Sequence, residues 1–394
     1  MKKDFFTYQA QTTPHPLAIE ISYAKGSYIY DTNGKKHLDF VAGVSANSLG
    51  HQHPKVSQAI KEQVDKYSHV MVYGEFVQEA PVALCKSLSE TFPKRNMAVY
   101  LTNSGTEATE GALKLAKKLT GRSEIIAAKH SYHGNTQGSM SISGAEEQNR
   151  AFRPLVPGAK FIQYNNEADL DKITSKTAAV ILETIQGGAG FITPTNNFLK
   201  KVKQQCDAVC AVLILDEIQT GIGRTGKFWG FEHYNVNPDI VITGKGLGGG
   251  MPIGAFIAPH KMMALLQNEP KLGHITTFGG HPIIAAAGLA TITEITTSNL
   301  ISDTLRKEQL IRKHLQHPAI QEIRGKGLML AAMVDTAELA SEIILSSLDR
   351  GLILFFLLFE KKAIRITPPL TISDEEIIEG CTLLKEVIDK VTQR

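Results

Sequence analysis

Residues 97–128 read MAVYLTNSGTEATEGALKLAKKLTGRSEIIAA, and their pattern decides the architecture. Met97 to Leu101 is a short apolar run of strand length. After Thr106, the residues Ala108, Ala112, Leu115, Ala116 and Leu119 fall at i, i+4, i+7, i+8 and i+11, which draws an apolar stripe along one helix. Gly121 closes that helix, and Ile125 to Ala128 begins a second strand. The alternation of strand and helix predicts an open α/β sheet with a mostly parallel core.

The same texture continues outward. Further runs at Phe161 to Tyr164, Ala178 to Leu182, Ala211 to Leu215, Ile240 to Thr243 and Gly254 to Ala258 are nearly continuous in Val, Ile, Leu and Ala. Runs without alternation suit strands covered on both faces. The expected fold is a mostly parallel central sheet flanked by helices, within residues 51–298. After about Asn299 the chain becomes richer in Lys and Glu, as in a smaller α+β domain over 299–394. Residues 1–50 are expected to pack with that smaller domain.

Length and composition exclude several classes. With 394 residues, 43% of them hydrophobic, the chain can bury a large core. Its longest apolar stretches, near Ile283 to Ile292 and Leu352 to Phe359, fall short of the roughly 18 residues that span a bilayer. The N-terminus lacks an apolar signal-like segment, so a cytoplasmic location is expected. Forty-two Lys plus Arg against 39 Asp plus Glu leave +3, spread without a basic block, and no nucleic-acid or membrane partner is expected. Cys206 and Cys210, beside Val209 and Ala211, read as buried thiols, and their spacing makes neither a redox pair nor a zinc half-site. No metal site is expected.

Ligands of open α/β sheets sit beyond the carboxyl ends of the strands. Three strand ends there carry polar chemistry. Asn103-Ser104-Gly105-Thr106-Glu107 gathers free backbone N–H groups and hydroxyls at a helix N-terminus, a natural phosphate site. Asp216 and Glu217 follow Ala211 to Leu215, where a carboxylate meets a ligand cation. Lys245, between Gly244 and Gly246, leaves an amine accessible for imine formation. Gly221 to Gly226 also matches GxGxxG, but Asp216 to Thr220 separate it from its strand and Phe228-Trp229-Gly230-Phe231 is a poor helix start. A nicotinamide dehydrogenase is therefore a weaker alternative.

A phosphate cradle, a carboxylate and an accessible lysine are the three groups that pyridoxal 5'-phosphate requires. The sequence resembles the class III, fold-type I, pyridoxal-phosphate aminotransferases, in the group of the acetylornithine, ornithine and 4-aminobutyrate enzymes. The likeness runs from Gly26-Ser27-Tyr28-Ile29-Tyr30-Asp31 and Gly50-His51-Gln52-His53-Pro54 to Ile364-Arg365-Ile366-Thr367-Pro368-Pro369-Leu370. It implies that Lys245 forms the imine and moves the proton, and that Asp216 partners the pyridine nitrogen. It also places Ser104, Gly105 and Thr106 at the phosphate, Tyr132 and Ile218 on the two ring faces and Gln219 near the ring hydroxyl. Thr277 is implied to reach the phosphate of a neighbouring subunit in a homodimer, and Arg365 to grip a substrate carboxylate.

The resemblance implies transamination between an amino acid or amine and a 2-oxo acid. An aminomutase, a decarboxylating transaminase and a cofactor-binding protein without turnover share the same motifs. Two positions depart from the family pattern. Asn135 stands where an arginine follows the aromatic-x-Gly motif. Gly188 ends Glu183-Thr184-Ile185-Gln186-Gly187-Gly188 where a second glutamate covers the carboxylate-binding arginine. Both departures bear on substrate choice, and Gly188 is expected to leave Arg365 an exposed cation.

Overall fold

The computed structural model describes residues 1–92 and 96–393; Pro93, Lys94, Arg95 and Arg394 lie outside the described residues. The runs read from the sequence become the strands β1 (Met97–Thr102), β2 (Glu124–Ala128), β3 (Ala159–Ile162), β4 (Thr177–Glu183), β5 (Val212–Asp216), β6 (Ile240–Gly244) and β7 (Gly254–Pro259). They hydrogen-bond in the order β1-β7-β6-β5-β4-β2-β3. β7 runs antiparallel to both its neighbours, and the other pairings are parallel. The carboxyl ends of six strands therefore share one edge of the sheet.

Alternate side chains of these strands feed two cores, as the two-residue repeat of a strand requires. Ile125, Ala127, Ile181, Ile214 and Ile242 pack with Ala108, Ala112, Leu115 and Ala116 of the helix Gly105–Thr120. Ile126, Val180, Leu182, Leu213, Leu215 and Val241 belong to the opposite core. Burial on both faces explains why these runs lack alternation. Each such Val, Leu or Ile contributes about 1.5–3 kcal/mol.

Three details differ from the sequence reading. Leu119 is exposed, because it lies in the last helical turn before the left-handed cap at Gly121, while Leu113 is buried instead. β3 begins and ends two residues before the apolar run chosen for it. Tyr164 is buried beyond the ladder, and its hydroxyl donates to the carbonyls of Glu183 (3.2 Å) and Thr184 (2.8 Å). Cys210 is exposed, whereas Cys206 is buried. Cys210 caps the helix Phe198–Val209 in a left-handed conformation (φ 56°), which turns it away from the apolar stripe that holds Cys206.

Two smaller sheets, one mixed and one antiparallel, complete the chain. Ile21–Lys25, Tyr28–Asp31 and Lys36–Asp39 pair in sequence, and Leu352–Ile353 joins Lys36–Asp39 in parallel. Glu322–Lys326, Met329–Met333, Ala363–Ile366 and Phe355–Phe356 form the other sheet, which carries Arg365. Among the described residues no single helix is long and apolar enough to cross a membrane. Pro282–Thr297 and Leu300–His314 pass that test only jointly and meet at a bend of 72°.

Candidate active site

Beyond the carboxyl ends of β1, β2, β4, β5 and β6 lies a cavity of about 680 Å³. It is lined by Ser104, Gly105, Thr106, Tyr132, Asn135, Asp216, Ile218, Gln219, Lys245 and Arg365. Every site residue picked from the sequence is there except Thr277, which is exposed on the segment before Phe278, and Glu217, which is buried outside the cavity and accepts the N–H groups of Gly230 (2.7 Å) and Phe231 (2.9 Å). A larger cleft of about 1270 Å³ shares Leu358 with it and holds none of those residues.

The β1 end is built to receive an anion. Ser104 caps the 16-residue helix, its hydroxyl accepting the Glu107 N–H at 3.3 Å. The Thr106 hydroxyl is held 2.7 Å from both Thr136 Oγ1 and Ser139 Oγ. Gly134, at φ 125°, allows this approach, since a Cβ there would lie 2.2 Å from Thr106 Oγ1. A Cβ on Gly105 would lie 2.6 Å from Ile218 Cδ1, so a bare backbone keeps the helix start open beneath Ile218. The positive end of the helix adds to these donors.

Asp216 ends β5 and is buried. One oxygen accepts the Ile218 N–H at 2.9 Å, and the other lies 2.7 Å from His133 Nδ1. A carboxylate only accepts, so the imidazole proton sits on Nδ1. His133 Nε2 is buried without a partner. Glu183 stands opposite Asp216 in the β4–β5 register and accepts the N–H groups of Tyr132 (3.0 Å) and Gly187 (2.8 Å). Burial, with the charge of Asp216 adding to it and that of His133 opposing it, pushes the Glu183 carboxyl up to about 7.

Lys245 is the first residue after β6 and adopts a left-handed backbone (φ 41°) between glycines. A non-glycine residue held there stores strain, as active-site residues commonly do. Burial lowers the affinity of its amine for a proton, and Arg365 lowers it further, against Asp216 and Glu183. Among the described residues the amine has no hydrogen-bond or ion-pair partner. The amine is thus biased toward the neutral, nucleophilic form.

Arg365 is only 5% exposed, which corrects the expectation of an exposed cation. Its Nε donates to the Phe356 carbonyl at 3.4 Å, and its guanidinium lies 5.6 Å from the centre of the Phe191 ring. Among the described residues Nη1 is buried with no partner and no carboxylate pairs with the side chain, and burial pulls it down to about 10. A buried cation lacking a counter-ion is costly, and a ligand carboxylate relieves that cost.

Sequence reasoning assigned no role to His133, Glu183, Val44 or Ser45. His133 lies inside the Tyr132-His133-Gly134 motif, and its place beyond β2 was the available signal. Nothing local marks Ser45, whose hydroxyl accepts from Gln219 Nε2 at 3.3 Å across 174 residues. Ala42, Gly43, Val44 and Ser45 form a left-handed turn with φ of 50°, 59°, 58° and 66°, which brings Val44 to the cavity. The Gly221 to Gly226 motif opens no α-helix. Arg224 within it is buried and donates to the carbonyls of Leu328 (3.0 Å) and Pro368 (2.5 Å), so that loop fastens backbone to backbone.

The bare cradle at Gly105, the buried Asp216 and the partnerless Lys245 amine fit the phosphate, the protonated ring nitrogen and the aldehyde carbon of pyridoxal 5'-phosphate. Comparisons agree. The family model "Aminotransferase class-III" matches residues 8–388. The chain is 38% identical to an acetylornithine aminotransferase of Caldanaerobacter subterraneus subsp. tengcongensis, over 95% of both chains. It is 36% identical to one of Bacillus subtilis, over 94% of this chain and 95% of the other. A solved ornithine aminotransferase of Toxoplasma gondii, with PLP partly occupying its active site, superposes with a TM-score of 0.91 at 31% identity, over 100% of this chain and 96% of that one. Fold, site chemistry and relatives converge: the chain belongs to the class III aminotransferases, fold-type I enzymes that use pyridoxal 5'-phosphate to move an amino group between an amino donor and a 2-oxo acid.

Proposed function

We propose that Lys245, Asp216 and the Ser104 to Thr106 cradle are the working groups of this transaminase, on an amino donor whose carboxylate Arg365 holds. The observation that carries the reading is their convergence in one cavity at the ends of β1, β5 and β6. When bound, pyridoxal phosphate supplies the electron sink that acidifies the hydrogen on the amine-bearing carbon. The Lys245 amine, biased by burial toward its neutral form, would take that proton and return it during transfer. Asp216, fixed by His133 and Ile218, would partner the ring nitrogen with its carboxylate. Tyr132 and Ile218, which line the cavity, would hold the ring between them, and Gln219 would meet its hydroxyl. A screen of amines and amino acids for bleaching of the cofactor's visible absorbance tests the reading; no bleaching by any donor would overturn it.

The relatives act, by name, on acetylornithine and ornithine. Asn135 and Gly188 argue for a different donor here. An amide in place of an arginine removes a charge-assisted bond worth about 1.5–3 kcal/mol, or roughly 10- to 150-fold in affinity for a second carboxylate. Asn135→Arg is therefore expected to lower the KM for 2-oxoglutarate by roughly that factor. A wild-type enzyme that already saturates as readily as the variant would exclude this role for Asn135.

We further propose a cytoplasmic homodimer, with residues 51–298 as the cofactor domain and 299–394, joined by 1–50, as the smaller one. The parallel pairing of Lys36–Asp39 with Leu352–Ile353 supports the last grouping. The exposure of Thr277, outside its own cavity, supports contact with a partner's phosphate. A ligand held between chains stabilises their association, so cofactor affinity is expected to fall on dilution into monomers. Undiminished affinity in a monomer, measured by fluorescence titration beside sedimentation, would exclude this role.

A further inference from the structure

The apolar segment Leu352 to Phe359, LILFFLLF, finds its use at this cavity: Phe355, Phe356, Leu357 and Leu358 all border it. Phe355 is the direct antiparallel partner of Arg365, so both side chains stand on the same face of the sheet. Phe355 is 39% exposed and Leu358 46% exposed, an unusual amount of hydrocarbon beside a buried guanidinium.

Gly188 makes this wall possible. A Cβ there would lie 2.8 Å from two ring atoms of Phe359 and 3.4 Å from Leu358 Cβ. The Gly188 carbonyl accepts the N–H groups of Phe359 (2.9 Å) and Glu360 (3.2 Å). The glycine and the segment thus interlock, and no longer side chain fits at 188 while Phe359 holds its place. Where the family pattern has a carboxylate, this chain has hydrocarbon. Apart from the reactive Lys245, Arg365 is the one lysine or arginine among the described residues that line the cavity. A substrate finds one fixed anchor for a carboxylate, and any second charge is set against Phe355 and Leu358 without a partner.

We propose that the enzyme's substrates are α-amino acids with a single carboxylate and an uncharged, apolar side chain, and the matching 2-oxo acids, the side chain lying against Phe355 and Leu358. The inference rests on Arg365 as the carboxylate anchor. The donor leaves as its 2-oxo acid while its amino group passes to an oxo-acid acceptor, so no external oxidant or reductant enters.

The test compares two unreactive acids of the same shape, 5-methylhexanoate and glutarate, by calorimetric titration of the holoenzyme. The apolar acid is expected to bind at least about tenfold tighter. Phe355→Ala and Leu358→Ala are each expected to weaken it by about tenfold, the effect of losing a few apolar contacts, and to leave glutarate unchanged. Equal affinities, a preference for glutarate, no binding of 5-methylhexanoate, or indifference to both substitutions overturns the proposal. Arg365→Gln separates the underlying reading: loss of both acids supports the anchor, and undiminished binding of both removes it whatever the preference between them.

Discussion

Lys245→Ala is expected to lower turnover by at least about 10,000-fold while leaving the fold intact, because it removes both the covalent attachment and the proton carrier. Among the described residues the amine makes no hydrogen bond or ion pair that the structure would lose. Alanine also keeps a Cβ at a position whose left-handed backbone is already set between Gly244 and Gly246. Circular dichroism and thermal melting should therefore resemble wild type while single-turnover assays show the loss. Retention of more than about a hundredth of wild-type turnover would be too much for a site missing its general base, which contributes some 10²- to 10⁴-fold.

Asp216→Asn is expected to slow proton abstraction by about 10²- to 10³-fold, the usual cost of removing one preorganised electrostatic partner. The substitution preserves shape, so an oxygen can still accept from His133 Nδ1 or the Ile218 N–H. It deletes the buried negative charge. Cofactor should stay bound, because the helix start at Ser104 to Thr106 is untouched. The same deletion removes a charge that raises Glu183, so the Glu183 carboxyl should fall from about 7. A pH profile whose acid limb moves lower in Asp216→Asn, measured together with the rate loss, would separate this electrostatic role from a packing defect. Near-normal turnover would refute it.

The central sheet was legible because β4, β5 and β6 are buried on both faces, so their residues are apolar without alternation. Parallel strands put their carboxyl ends on one edge, and Asp216 and Lys245, as end residues, inherited a place beside the helix start at Ser104. That much follows from local pattern and topology. The rest depends on contacts distant in sequence. His133 meets Asp216 across 83 residues, a pairing that no spacing rule contains. Arg365 read as a cation left exposed by Gly188; in the structure the same glycine admits Phe359 and the adjoining Leu358, and Arg365 is buried. Cys210 was misread because its apolar neighbours said nothing of the left-handed cap that turns it outward.

Treating the holoenzyme with borohydride, digesting it and locating the reduced cofactor by mass spectrometry addresses the assignment of the reactive lysine most directly. The expected result is a single modified peptide that carries the cofactor on Lys245. Attachment to any other lysine would contradict the account.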